Sequence, residues 1–68
     1  MITLTINGNT RQFDVATLTV AALVSRMGLE GKRIAIERNG EIVPRGAFAE
    51  TVLASGDHLE IVGAVGGG

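Results

Sequence analysis

The chain begins with strict alternation: Ile2, Leu4 and Ile6 are apolar while Thr3 and Thr5 between them are polar, the period-two pattern of a strand with one buried face. Asn7-Gly8 follows, a dipeptide that accepts positive φ, so the segment reads as the first arm of a hairpin. The return arm is expected over residues 10–15, with Phe13 and Val15 toward the core and Gln12 and Asp14 toward water. Asn9 belongs either to the turn or to that arm. The period then changes. Val20, Leu23, Val24 and Met27 fall at i, i+3, i+4 and i+7, one stripe of an amphipathic helix. Thr19 is placed as its N-cap, Gly28 as the residue just past its end, and Leu29 as the apolar contact that closes the last turn.

A second strand is expected over residues 34–38, ended by Asn39-Gly40, and a short one over 41–43 stopped by Pro44, which cannot donate to a ladder. Residues 46–51 suit one turn of helix burying Phe48, and Ser55-Gly56-Asp57 is a turn that delivers the chain into a last strand over 58–62. The order is strand, strand, helix, strand, short strand, final strand. This predicts an α+β fold of the ubiquitin-like β-grasp kind, a mixed sheet with one main helix packed across it. The last strand should return beside the first in parallel, because a right-handed crossover buries the helix stripe. Residues 1–62 form the expected domain, and 63–68 a flexible glycine-rich tail leaving one end of a central strand.

Size and composition narrow the chemistry. A domain of 68 residues buries only about 60% of the surface its unfolded chain exposes, which disfavours a deep ligand cavity and catalysis inside one. Six basic and seven acidic side chains nearly cancel and are scattered, so the charge footprint of a nucleic-acid binder is missing. Glu37, Glu41, Glu50 and Glu60 show no pairing logic and read as residues that solvate the sheet. With no cysteine and His58 as the single imidazole, the sequence offers neither a thiol nucleophile nor the ligands of a structural zinc site, and no metal site is expected. His58 beside Asp57 reads as a surface or turn residue. The first residues lack the basic and long apolar regions of a signal peptide, and no stretch approaches membrane-spanning length. A cytoplasmic protein with no membrane partner is expected.

What remains is the end of the sequence, Gly63-Ala64-Val65-Gly66-Gly67-Gly68. Successive glycines make a thin cord that enters slots closed to residues with a Cβ. It is not a phosphate-binding loop, since no helix and no Lys-Ser/Thr follow it. Its uneventful explanation is a frayed terminus or linker. Its chemical one is a carboxylate on Gly68, ionised near neutrality with a reference pKa of about 3.5, that attacks the α-phosphate of ATP when another protein supplies geometry and charge. Ordering four tail residues costs roughly 4–8 kcal/mol, so the folded body must bind as well. Six extended residues from Gly63 reach at most about 20 Å, enough to enter an active site while the sheet docks outside. The outward side of the last strand, with Val62, Ala64 and Val65 leading to Gly66 and Gly67, is the expected contact surface, although sheet packing explains Val62 equally well.

The β-grasp order, the segment Ile36-Glu37-Arg38-Asn39-Gly40-Glu41-Ile42-Val43-Pro44-Arg45, the Gly56-Asp57 turn and the Val65-Gly66-Gly67-Gly68 ending together resemble the thiamine-biosynthesis sulfur carrier family, ThiS, along essentially the whole chain. The resemblance implies a carrier rather than an enzyme. An E1-like adenylating enzyme, using ATP and magnesium that the carrier itself does not bind, would activate the Gly68 carboxylate. A cysteine desulfurase or other donor would supply sulfur to make a thiocarboxylate, and thiazole synthase would take that sulfur for the thiazole ring of thiamine. Gly66 and Gly67 match the family's thread. The Gly-Gly end alone is shared with small subunits of molybdopterin synthase and with ubiquitin-like modifiers. These readings, and an interaction module with an inert tail, stay open as alternatives.

Overall fold

The structure, a computed structural model, describes residues 1–63. Seven strands and one α-helix follow in the order β1 (Ile2–Ile6), β2 (Asn9–Phe13), β3 (Leu18–Thr19), α1 (Val20–Arg26), β4 (Ile34–Arg38), β5 (Glu41–Val43), a 3₁₀ turn (Arg45–Ala47), β6 (Val52–Leu53) and β7 (His58–Gly63). Five strands form a mixed sheet in the order β2-β1-β7-β4-β5. β1 and β2 are antiparallel, β7 runs parallel to β1, and β4 is antiparallel to both β7 and β5. This is the expected β-grasp layout, with the last strand in the middle of the sheet and α1 across one face.

The alternation in β1 holds: Ile2, Leu4 and Ile6 are buried and Thr3 and Thr5 are not. Val20 and Leu23 of the helix stripe are fully buried with Leu4, Ile36 and Leu59 of the sheet. Full burial of each such side chain contributes about 1.5–3 kcal/mol. The helix ends are made as the sequence implies. The Thr19 hydroxyl accepts from the Ala22 N–H at 3.1 Å. At the other end Gly28 takes φ of 71°, its N–H reaches the Ser25 carbonyl, and the Leu29 N–H reaches that of Val24, the double bond of a Schellman closure.

Three expectations change. The return arm occupies Asn9–Phe13 rather than 10–15: Asn7 and Gly8 both take positive φ and make a two-residue turn that leaves Asn9 paired with Ile6. The arm stops at Phe13 because the Val15 N–H folds back onto the Phe13 carbonyl, although Val15 still packs on the core. Next, a small second sheet joins β3 to β6 through Leu18 and Leu53, both buried. Last, the helical turn starts at Arg45, directly after Pro44, and half-buries Phe48.

Candidate functional site

The candidate site is the end of β7 and the open face beside it. β7 sits between two neighbours of unequal length. Its pairing with β4 runs from Arg38↔Leu59 to Ile34↔Gly63, whereas its pairing with β1 covers only Thr5↔His58 and Ile6↔Leu59. Beyond that point β1 has turned away, and a side chain replaces it. The Asn7 Oδ1 accepts from the Ile61 N–H at 2.8 Å while its Nδ2 donates to the Ile61 carbonyl at 3.1 Å, and the Asn7 N–H donates to the carbonyl of Leu59. One amide thus extends the ladder by a further rung.

The start of β7 is held by the other Asn-Gly turn. Asn39, at φ of 50°, accepts from the His58 N–H through Oδ1 at 2.9 Å, and its own N–H donates to the His58 carbonyl. Its Nδ2 donates to Asp57, which also accepts from the Arg38 Nε and the Ala54 N–H, both at 2.8 Å. Asp57 is the one buried charged residue among those described. Burial by itself pushes its carboxyl up. The Ala54 N–H, the Asn39 amide and the Arg38 guanidinium outweigh that and hold it below the ordinary value of 3.8. Asp57 reads in the sequence only as a turn residue, and the clue to its larger role is the Arg38-Asn39 pair, nineteen and eighteen positions away.

Val62 faces away from α1, opposite Ala35 of β4, and is 58% exposed. Gly63 follows in β7, paired with Ile34, so the strand continues one position past the expected domain edge. Ala64, Val65, Gly66, Gly67 and Gly68 lie outside the described residues. His58 is exposed, and among the described residues no three His, Asp or Glu side chains gather as metal ligands. A cavity of about 280 Å³ on the helix side, lined by Val24, Leu29 and Phe48 with Glu30, Lys32 and Arg45 also on its wall, carries neither hydroxyl nor imidazole. No helix among the described residues is long and apolar enough to cross a membrane. The geometry therefore offers a rigidly held strand leading to the glycine-rich end, with an exposed valine beside the exit.

Comparison with known proteins agrees with this layout. The sulfur carrier protein ThiS of Bacillus subtilis (strain 168) is 37% identical over 65 residues, 96% of this chain and 98% of its own length. A thiazole synthase of Paramagnetospirillum magneticum is 46% identical over 65 residues, but this chain spans only 20% of that relative's length. Among solved structures, the crystal structure of the thiamine biosynthesis protein (ThiS) from Geobacter metallireducens superposes with a TM-score of 0.85 at 33% identity, covering 98% of this chain and all of the other. Residues 4–68 match the ThiS family, and the chain belongs to that family.

Proposed function

We propose that this protein is a sulfur carrier of thiamine biosynthesis, working as a substrate of other enzymes rather than as a catalyst. The observation that carries the reading is the match to a sulfur carrier protein along 98% of that protein, together with a central strand after which the sequence runs into Gly66-Gly67-Gly68. In this reading a carboxylate on Gly68 is the group that is activated for acyl transfer. On an E1-like adenylating enzyme supplying ATP and magnesium, its oxygen bonds to the α-phosphorus and pyrophosphate leaves. Persulfide sulfur from a cysteine desulfurase, or another donor, then attacks the acyl carbon and AMP leaves. Reductive cleavage of the S–S bond by a thiol frees the thiocarboxylate.

Thiazole synthase is the proposed recipient. A segment similar to this chain makes up a fifth of a protein that itself bears that name, which supports close cooperation between module and synthase. The folded body contributes the docking surface, with Val62 at the exit and Ala64, Val65, Gly66 and Gly67 forming the approach to the active site. The compartment that fits this work is the cytoplasm.

The test is the intact mass of the protein after incubation with its adenylating enzyme, ATP, a cysteine desulfurase, cysteine and a thiol reductant. A species heavier by the exchange of one oxygen for sulfur, mapped to the terminal peptide, is expected. Its absence under every sulfur condition overturns the reading. A variant lacking Gly67 and Gly68 should keep its fold and never gain that mass.

A further inference from the structure

The cavity of about 280 Å³ on the helix side has no part in the proposed acyl chemistry, yet it lies beside the end of β7: Gly63 pairs with Ile34, and Ile34 is on the cavity wall. Val24 is buried there, while Leu29, Ile34 and Phe48 are only half-buried, so the folded domain leaves part of this apolar wall uncovered. Lys32 and Arg45 add two cations to the wall and Glu30 one carboxylate. The Arg45 Nη2 donates to the Lys32 carbonyl at 3.3 Å, and neither cation is in an ion pair among the described residues. Arg33, exposed just before β4, does not line the cavity.

Strand geometry supplies a direction and a side. β7 runs antiparallel to β4, in register from Arg38↔Leu59 to Ile34↔Gly63, so the sequence after Gly63 is aimed along the loop of residues 30–33 that leads into β4. Leu59 is buried and Ile61 half-buried toward α1, whereas Glu60 and Val62 are exposed on the other face. Gly63 shares the α1 side with Ile34, and the same alternation, carried two positions on, assigns Val65 to the cavity side and Ala64 to the opposite one. Residues 64–68 span at most about 17 Å. The last three are glycine, so no side chain separates a terminal carboxylate from the cations of the wall.

We infer that this cavity is a resting site for the chain's own glycine-rich end, with Val65 against Leu29, Ile34 and Phe48 and the Gly68 carboxylate at Lys32 and Arg45. The inference rests on the proposed sulfur-carrier function, which gives Gly68 its free carboxylate, and adds to it a place where that carboxylate is held between reactions. Charge complementarity and reach argue for this occupant: the end carries one apolar side chain and one anion, in the order in which the wall offers an apolar patch and two cations. Tethering gives it an effective concentration on the order of mM, so the contact needs little intrinsic affinity. A docked carboxylate is out of reach of ATP, and an adenylating enzyme must draw it off before activating it. The cavity thus competes with the enzyme for the reactive end.

The experiment compares the full chain with Val65→Ser and Ala64→Ser by NMR of the cavity side chains and by carbodiimide coupling, which joins a carboxylate directly to an amine with loss of one water. Lys32 is the only lysine in the sequence, so the Gly68 carboxylate has two amines to find within one chain, Lys32 Nζ and the Met1 terminus. Expected is a monomer lighter by one water, with the new amide mapped to Gly68 and Lys32 and its yield falling at high salt. Val65→Ser should lower that yield about fivefold and shift the signals of Leu29, Ile34 and Phe48, while Ala64→Ser does neither. Unchanged cavity signals and yield in Val65→Ser overturn the inference, as does an equal effect of Ala64→Ser. Coupling of Gly68 to Met1 as often as to Lys32 overturns it, and so does a covalent dimer in place of the monomer, which assigns the cavity to the end of a second copy. All four leave the carrier function standing, because thiocarboxylate formation is read separately by intact mass. A chain that forms the Gly68–Lys32 link yet never gains sulfur supports the resting site and overturns the carrier function alone.

Discussion

The side-chain amide of Asn7 pairs with both backbone groups of Ile61, fifty-four residues away, so the first turn of the chain secures the last strand two residues before its end. The contact separates turn chemistry from strand fixation, since glycine at position 7 keeps the positive φ but loses the amide. Asn7→Gly should cost about 1–2 kcal/mol in urea unfolding, the worth of two exposed hydrogen bonds. Amide exchange at Ile61 should accelerate selectively. Uniform acceleration along the whole of β7 would show that the amide holds no particular rung.

Asp57 gives the fold a defined acid limit. Its carboxyl is held below the ordinary value in the folded chain, so its contribution is complete above that value and is lost as pH falls through the folded one. Asp57→Asn should cost about 2–3 kcal/mol at neutral pH, where Arg38 and the Ala54 N–H lose their shared anion. The gap between parent and variant should narrow steadily below pH ~4. Denaturant titrations across that range check the sign, and a gap independent of pH would contradict it.

Thr19 tests the helix start. Removing its hydroxyl leaves the Ala22 N–H without its acceptor, so Thr19→Ala should destabilise by about 1 kcal/mol while Thr19→Ser stays close to the parent. Equilibrium unfolding of the three proteins decides it.

Val62 tests the exit. Because its side chain is mostly exposed, Val62→Ser should change stability by no more than about 0.5 kcal/mol. Under the proposed function, the same variant should raise the KM of the adenylating enzyme for this protein with little change in kcat, since the proposed docking contact is lost and the proposed acyl chemistry is untouched. A normal KM would remove Val62 from the docking surface.

The parts of this fold that are written locally are legible in the sequence. Ile2, Leu4 and Ile6 announce β1 by alternation, and Thr19, the Val20 to Met27 stripe and Gly28 announce α1 with both its ends. The β3-β6 sheet is not legible, because two-residue strands show no period and their pairing joins positions thirty-three and thirty-five apart. The boundary of β2 was lost to Val15, whose burial looks like strand alternation although its backbone has already turned. The same limit hid the work of Asn7, Asn39 and Asp57. Each sits in a turn that its neighbours explain fully, and only the tertiary fold brings Ile61, His58 and Arg38 to it. The chemistry read for the glycine end rests on its residue types, and that end lies outside the described residues.

The pairing of Thr5 with His58 also has a bearing on synthesis. The centre of the sheet joins the first strand to the last of those described, so its contacts have high sequence separation and cannot form until β7 has been made. A nascent chain released up to β5 has a hairpin and a helix but an empty slot between β1 and β4. The strand that fills the slot is also the one that precedes the glycine-rich segment, so a correctly placed β7 reports a closed sheet.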